Sequence, residues 1–171
     1  FVPGITKEEK RQALEKLRPC FGSSKVLGIY TIDEATGISI SSPSLVSKQL
    51  MQEGYNLFKE MYPTKLVWYN EGPLEFPGAA TLEQARGFDW ADIVSIDWYV
   101  IPRPSLQDLA ETITPMIQTA KRLAGKRDVW FIHQAVPMSI FKDQPETSRE
   151  PTPEELRLLA DLSWQNGLNG I

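Results

Sequence analysis

The chain has 171 residues, 42% of them hydrophobic and 10% aromatic, which is enough for a sizeable core and excludes an intrinsically disordered polypeptide. Its formal net charge is -4, with acidic and basic residues interspersed, so there is no basic stripe for phosphates and no nucleic-acid partner is expected. The single cysteine, Cys20, excludes an internal disulfide and reads as a small core residue, while the single histidine, His133, excludes multi-histidine zinc and iron sites and leaves only all-carboxylate metal chemistry open. No metal or cofactor is expected, and no apolar run approaches the length of a transmembrane segment.

A first helix starts at Thr6, where Thr6 and Glu9 have the spacing of a capping box and Ala13, Leu14 and Leu17 supply an apolar stripe; Pro19 is expected to stop it. Val26 to Ile32 is too continuously apolar for a strand with one wet face, and reads as a buried strand ending in Asp33 and Glu34. After a Gly/Ser/Thr-rich loop, Ser44 is placed to cap a helix carrying Leu45, Leu50, Met51, Leu57, Phe58 and Met61. A second strand, Leu66 to Tyr69, ends in Asn70-Glu71-Gly72-Pro73. A short helix is expected near Thr81, and Ile93 to Ile96 makes a third strand that ends in Asp97-Trp98-Tyr99.

Ser105 caps a long helix reaching Ala124, with Gly125 as its stop and Pro115 as a kink. Val129 to Ile132 forms a fourth strand ending in His133-Gln134-Ala135. Thr152, Pro153 and Glu155 then mark a helix start, with cap, first-turn proline and capping-box carboxylate in order, and the helix runs to about Gln165. Gly167 to Ile171 begins a fifth strand.

Strands starting near residues 26, 66, 93, 129 and 168 alternate with helices, which predicts parallel β-α units with right-handed crossovers. The expected fold class is α/β, a partial (β/α)8 barrel in a single domain over 1–171, because a complete barrel takes roughly 250 residues. The remaining barrel segments are then expected to be missing from this chain. A free-standing doubly wound sheet of flavodoxin type is the structural alternative.

In parallel β-α folds the strand C-termini open on one face, so the polar ends of successive strands converge there. Alternation puts Gly28, Tyr30, Ile32 and Glu34 on one side, with Ser95, Asp97 and Tyr99 together and Trp130, Ile132 and Gln134 together, whereas either Asn70 or Glu71 faces inward on the second strand. Cleaving a glycosidic bond needs one acid to protonate the leaving oxygen and a second carboxylate as nucleophile or base, roles open to Glu34, Asp97 and Glu71. Tyr30, Trp68, Tyr69, Trp98 and Tyr99 suit stacking on sugar faces, and Asp33, Asn70 and Gln134 suit bonding to hydroxyls, so a carbohydrate substrate is the expected partner.

The strand Gly28-Ile29-Tyr30-Thr31-Ile32-Asp33-Glu34-Ala35 resembles the Asp-Glu-Pro strand end of several glycoside-hydrolase-type barrels, with Ala35 in place of the proline. Asp97-Trp98-Tyr99-Val100-Ile101-Pro102 is similar to their Asp-x-Tyr-Pro strand end, with the proline later. Trp130 to Ala135 resembles a later strand ending in Gln-Ala, and the segments 151–157 and 167–171 resemble the final helix and the start of the last strand. The resemblance implies the C-terminal part of a TIM barrel, about the fourth to eighth strands, with Glu34 as the acid. It also allows an extracellular or periplasmic setting. Asn70-Glu71-Gly72 is similar to the Asn-Glu-Pro acid/base motif of another glycosidase group, which would instead assign the acid to Glu71.

Two other functions remain open at this level. One is a carbohydrate-binding barrel without chemistry. The other is a barrel lyase or isomerase, although Lys25 and Lys65 sit at strand starts, away from where a Schiff-base lysine belongs, and Gly72 and Gly78 do not form a phosphate loop.

Overall fold

The computed structural model describes residues 4–31, 47–72, 90–97, 103–134 and 149–170. Helix α1, Lys7–Lys16, is opened by the full Thr6/Glu9 capping box, in which Glu9 N–H donates to Thr6 Oγ1 and Thr6 N–H to Glu9 Oε2. Helix α1 ends at Lys16 with Leu17 as its cap, just before the expected stop, Pro19. That proline stands in the first turn of a separate short helix α2, Arg18–Phe21, where its missing N–H has no intrahelical partner to lose. Cys20, expected in the core, is exposed on α2. The residue that turns inward there is Phe21, packed edge-on to Phe58 at 5.1 Å and tilted against Tyr62 at 4.9 Å.

Strand β1, Gly28–Tyr30, is followed by helix α3, Lys48–Met61, capped by Ser47 Oγ accepting from Leu50 N–H. Ser44, expected as that cap, lies outside the described residues, as does the helix expected near Thr81. Strands β2, Leu66–Glu71, and β3, Ile93–Asp97, precede helix α4, Leu106–Ala124. Helix α4 continues through Pro115, held on both sides of it by the buried Leu109, Ile113, Met116 and Ile117, and stops at Gly125, whose φ of 63° suits a residue without a Cβ. Strand β4, Asp128–Ile132, leads to helix α5, Pro153–Gln165, with the Thr152/Glu155 capping box complete.

The strands form a parallel sheet in the order β1-β2-β3-β4, and a parallel bridge from Trp130 to Gly170 adds the start of a fifth strand beside β4. This order runs without reversal. A flavodoxin-type sheet must reverse at its switch point and carry helices on both faces, so the doubly wound alternative is excluded. One sheet face, with Val67, Tyr69, Val94, Ile96, Val129 and Phe131, is buried in one cluster with Phe58, Leu109, Ile113, Ile117 and Leu159 of the helices. Burial of each such side chain stabilises by roughly 1.5–3 kcal/mol. The fold is therefore a partial (β/α)8 barrel, with the helix-covered face outermost.

The N-terminal edge of the sheet is tied by a device that occurs twice. Asp92, just before β3, accepts from Val67 N–H at 2.9 Å, from Lys59 Nζ at 3.0 Å and from Tyr55 Oη at 3.0 Å. Asn169, just before the fifth strand, accepts from Val129 N–H at 3.4 Å and Lys121 Nζ at 3.1 Å. Each also returns its own N–H to the partner strand, Asp92 to Val67 O and Asn169 to Val129 O. Glycine is required at β1 for a different reason: a Cβ on Gly28 would lie 2.1 Å from the Leu66 carbonyl oxygen.

Candidate active site at the strand C-termini

The register decides which side chains share the inner face. Tyr30 aligns with Trp68, Asn70 with Ser95, Ser95 with Trp130, and Asp97 with Ile132, and aligned residues of parallel strands project to the same side. Asn70 is therefore the inward residue of β2. Glu71 shares parity with Val67 and Tyr69 on the helix side, where it is buried, accepts from the Tyr69 hydroxyl and takes the Gly72 N–H at 3.1 Å.

The inner face carries a row of aromatic rings. Tyr30 meets Trp68 edge-on with centroids 5.1 Å apart, and Trp68 meets Trp130 at 5.4 Å. A Cβ on Gly170 would stand 2.7 Å from the Trp130 ring, so the absence of a side chain there lets the indole lie over the next strand. Toward the strand starts this row borders an apolar hollow of ≈ 420 Å³ lined by Leu27, Gly28, Tyr30, Leu66, Trp68 and Trp130. Leu27 is 74% exposed and Tyr30 46%.

Toward the strand ends the same face turns polar. Trp68 Nε1 donates to Ser95 Oγ at 2.7 Å, and Ser95 Oγ lies 2.6 Å from Asn70 Oδ1. Asp97 follows Ser95 by one alternation on β3, and Gln134, two residues past Ile132, is fully buried. Ser95, Asn70 and Asp97 are all buried too. Buried polar side chains as a rule find partners, and a cluster of them at strand C-termini is the expected composition of a barrel site.

Of the residues singled out in the sequence, Tyr30, Trp68, Asn70 and Asp97 are thus brought together on the inner face, with Gln134 buried just beyond β4, while Tyr69 and Glu71 are directed away from them, Tyr69 into the helix-side core. Asp33, Glu34, Trp98 and Tyr99 lie outside the described residues. Ser95 and Trp130 were not among the expected site residues, although the two-residue period along β3 and β4 places them on this face. His133 belongs to the other side, its ring edge-on to Phe131 at 4.8 Å and its Nε2 3.3 Å from Ser163 Oγ. Ser163 gives its own proton to Leu159 O at 2.8 Å, so the imidazole is the donor in that pair. Burial pushes the His133 pKa down, favouring the neutral ring of a structural residue.

Among the described residues no group of three or more His, Cys, Asp or Glu side chains gathers as a metal set, and no helix is long and apolar enough to cross a membrane.

Neither a family model nor a curated protein sequence matches the chain. Solved structures do. Bee venom hyaluronidase superposes with a TM-score of 0.63 at 11% identity, covering 96% of this chain and 68% of that one. A Bacteroides thetaiotaomicron protein assigned as an alpha-L-fucosidase gives 0.60 at 11% identity, over 96% and 52%. The beta-galactosidase of the Antarctic haloarchaeon Halorubrum lacusprofundi gives 0.56 at 15% identity, over 94% and 28%. At such identities the likeness establishes the fold, that of a (β/α)8 barrel, of which this chain spans a part.

Proposed function

We propose that this chain belongs to a glycoside hydrolase that cleaves an oligo- or polysaccharide by carboxylate acid/base catalysis at the C-terminal mouth of a (β/α)8 barrel. The observation that carries this reading is the inner face itself, where the Tyr30–Trp68–Trp130 row passes into Asn70 and Asp97 at the strand ends. Aromatic faces stack on the C–H faces of sugars, carboxamides bond hydroxyls, and a carboxylate beside them supplies the chemistry. The names of the fold neighbours, a hyaluronidase, a fucosidase and a galactosidase, support the same class of substrate.

Glu34, which ends the first sequence strand, is assigned as the acid that protonates the leaving oxygen. Asp97 is assigned as the second carboxylate because it follows Ser95 on the inner face, whereas Glu71 is held on the helix side by Tyr69. If the two carboxylates stand roughly 5–5.5 Å apart, Asp97 is the nucleophile and configuration is retained; at roughly 6.5–9.5 Å it activates water and configuration inverts. The chain supplies about the fourth to eighth strands, and the remainder of the barrel comes from polypeptide outside it.

The test is turnover of hyaluronan, aryl α-L-fucosides and aryl β-galactosides by the full polypeptide. Glu34→Gln and Asp97→Asn are each expected to lower kcat by about 100-fold or more. Wild-type rates in both variants would sink the assignment, and saccharide binding without turnover would indicate a carbohydrate-binding barrel instead.

A further inference from the structure

We propose that the flank of α5 turned away from α4 is a docking face for a further amphipathic helix, that of the β-α unit opened by the fifth strand. The inference rests on the barrel fold and is independent of the saccharide reading. Successive residues of a helix step round its axis by about 100°, so Leu158, Leu159 and Ala160 lie in three adjacent rows, each continued at intervals of four residues. The middle row, Glu155, Leu159 and Ser163, is buried, with Leu159 in the core shared with the sheet. The row of Leu158, Leu162 and Asn166 lies toward α4: both leucines pack against the core, and Gln118 of α4 donates to Asn166 Oδ1 at 3.2 Å. The row of Leu156, Ala160 and Trp164 is on the opposite flank.

On that flank Trp164 is 56% exposed and Leu156 37%. One step further round, Arg157, Asp161 and Gln165 are exposed and polar, the ordinary outer face of a surface helix. The apolar surface of α5 thus extends past its sheet-facing row on both sides; toward α4 it is packed, and on the other side it stands open among the described residues. The sheet identifies what covers it. The fifth strand starts beside β4, with Asn169 N–H donating to Val129 O at 2.9 Å and Phe131 N–H to Gly170 O at 3.1 Å. A right-handed crossover from that strand carries its helix over the helix-covered face, one place further round than α5 and against the flank opposite α4. The partner is therefore a helix of the same barrel, in polypeptide outside this chain, which presents an apolar row to Leu156, Ala160 and Trp164 and continues the ring in which α4 and α5 already pack.

Photo-crosslinking in the full polypeptide tests this directly. With p-benzoylphenylalanine in place of Trp164, the expected product is an intramolecular cross-link to a peptide that follows residue 171. A cross-link to a second copy, one confined to residues 1–171, or none at all would overturn the proposal. A second measurement uses Leu156→Asp, also in the full polypeptide. Leu156 ends the first turn of α5, where the helix dipole favours a carboxylate, so a loss of stability there reports the docked face and not helix propensity. The urea midpoint is expected to fall by about 1 M, whereas Asp161→Ala on the outer face should stay within about 0.2 M of wild type. An unchanged midpoint in Leu156→Asp would contradict the proposal, and neither measurement depends on whether the protein turns over a saccharide.

Discussion

The two ends of the sheet use similar side chains for opposite purposes. At the N-terminal edge, Asp92 and Asn169 each precede a strand, accept from the N–H of the second residue of the neighbouring strand and from a lysine of the helix before that strand, and return their own N–H. Those side-chain oxygens are engaged by backbone, lysine and, at Asp92, the Tyr55 hydroxyl, and serve to hold adjacent strands in register. At the C-terminal edge, Asn70, Ser95 and Asp97 stand on the inner face next to an aromatic row, with Gln134 buried just past β4. The contrast follows the division of labour in β-α barrels, stability at the strand starts and chemistry at the strand ends. An acidic residue in this fold is thus read by which end of a strand it occupies.

Substitutions at the strand-start end should cost stability, and the largest cost is expected at Gly28. Gly28→Val forces a side chain into the Leu66 carbonyl, and loss of about 4 kcal/mol in urea unfolding is expected; a loss below about 1 kcal/mol would show that β1 slides freely. Asp92→Ala leaves the Lys59 ammonium, the Tyr55 hydroxyl and the Val67 N–H without this acceptor, for about 3 kcal/mol by the same measurement.

Between these and the smallest effect lies a pH dependence. Arg149, bonded to both Glu155 oxygens at 2.7 Å, holds the Glu155 carboxyl down to about 2 from its ordinary 4.5. The folded-state value is the lower one, so the stabilisation is complete above the ordinary value and disappears as pH falls from 4.5 toward 2. Arg149 is half-exposed, so solvent screens the pair, and Arg149→Ala should flatten the stability profile across that window. Asn169→Ala is the mildest, about 1 kcal/mol, because a neutral amide at 3.4 Å from Val129 N is being removed instead of a carboxylate. A greater loss there than at Asp92 would break the ranking of the two clamps.

Much of this was legible in the sequence, and the reasons are local. The caps at Thr6 and Thr152, the stop at Gly125 and the starts of β2 and β3 follow from side-chain chemistry within four residues, and the structure has them there. Strand alternation grouped Ser95 with Asp97 correctly. What alternation left open was Asn70 against Glu71, because the phase of a strand is fixed by its neighbours, and only the register with Ser95 decides it. Pro19 gave the end of α1 but hid the start of α2, because a proline ends one helix and begins another by the same lack of an N–H. Cys20 misled because Phe21, its larger neighbour, fills the core from the same turn. Asp92 and Asn169 passed unnoticed since their partners lie 25 and 40 residues away in sequence, though a polar residue directly before a buried strand was the available signal.

The most direct test of the account is a matched pair of isosteric changes, Asp97→Asn and Asp92→Asn, measured for both urea midpoint and glycan hydrolysis in the full polypeptide. The account predicts that Asp97→Asn keeps the wild-type midpoint and loses about 100-fold or more in kcat, whereas Asp92→Asn lowers the midpoint and keeps the kcat of the folded fraction. Full hydrolysis by Asp97→Asn, or loss of hydrolysis in a stably folded Asp92→Asn, would contradict the assignment of chemistry to the strand C-termini.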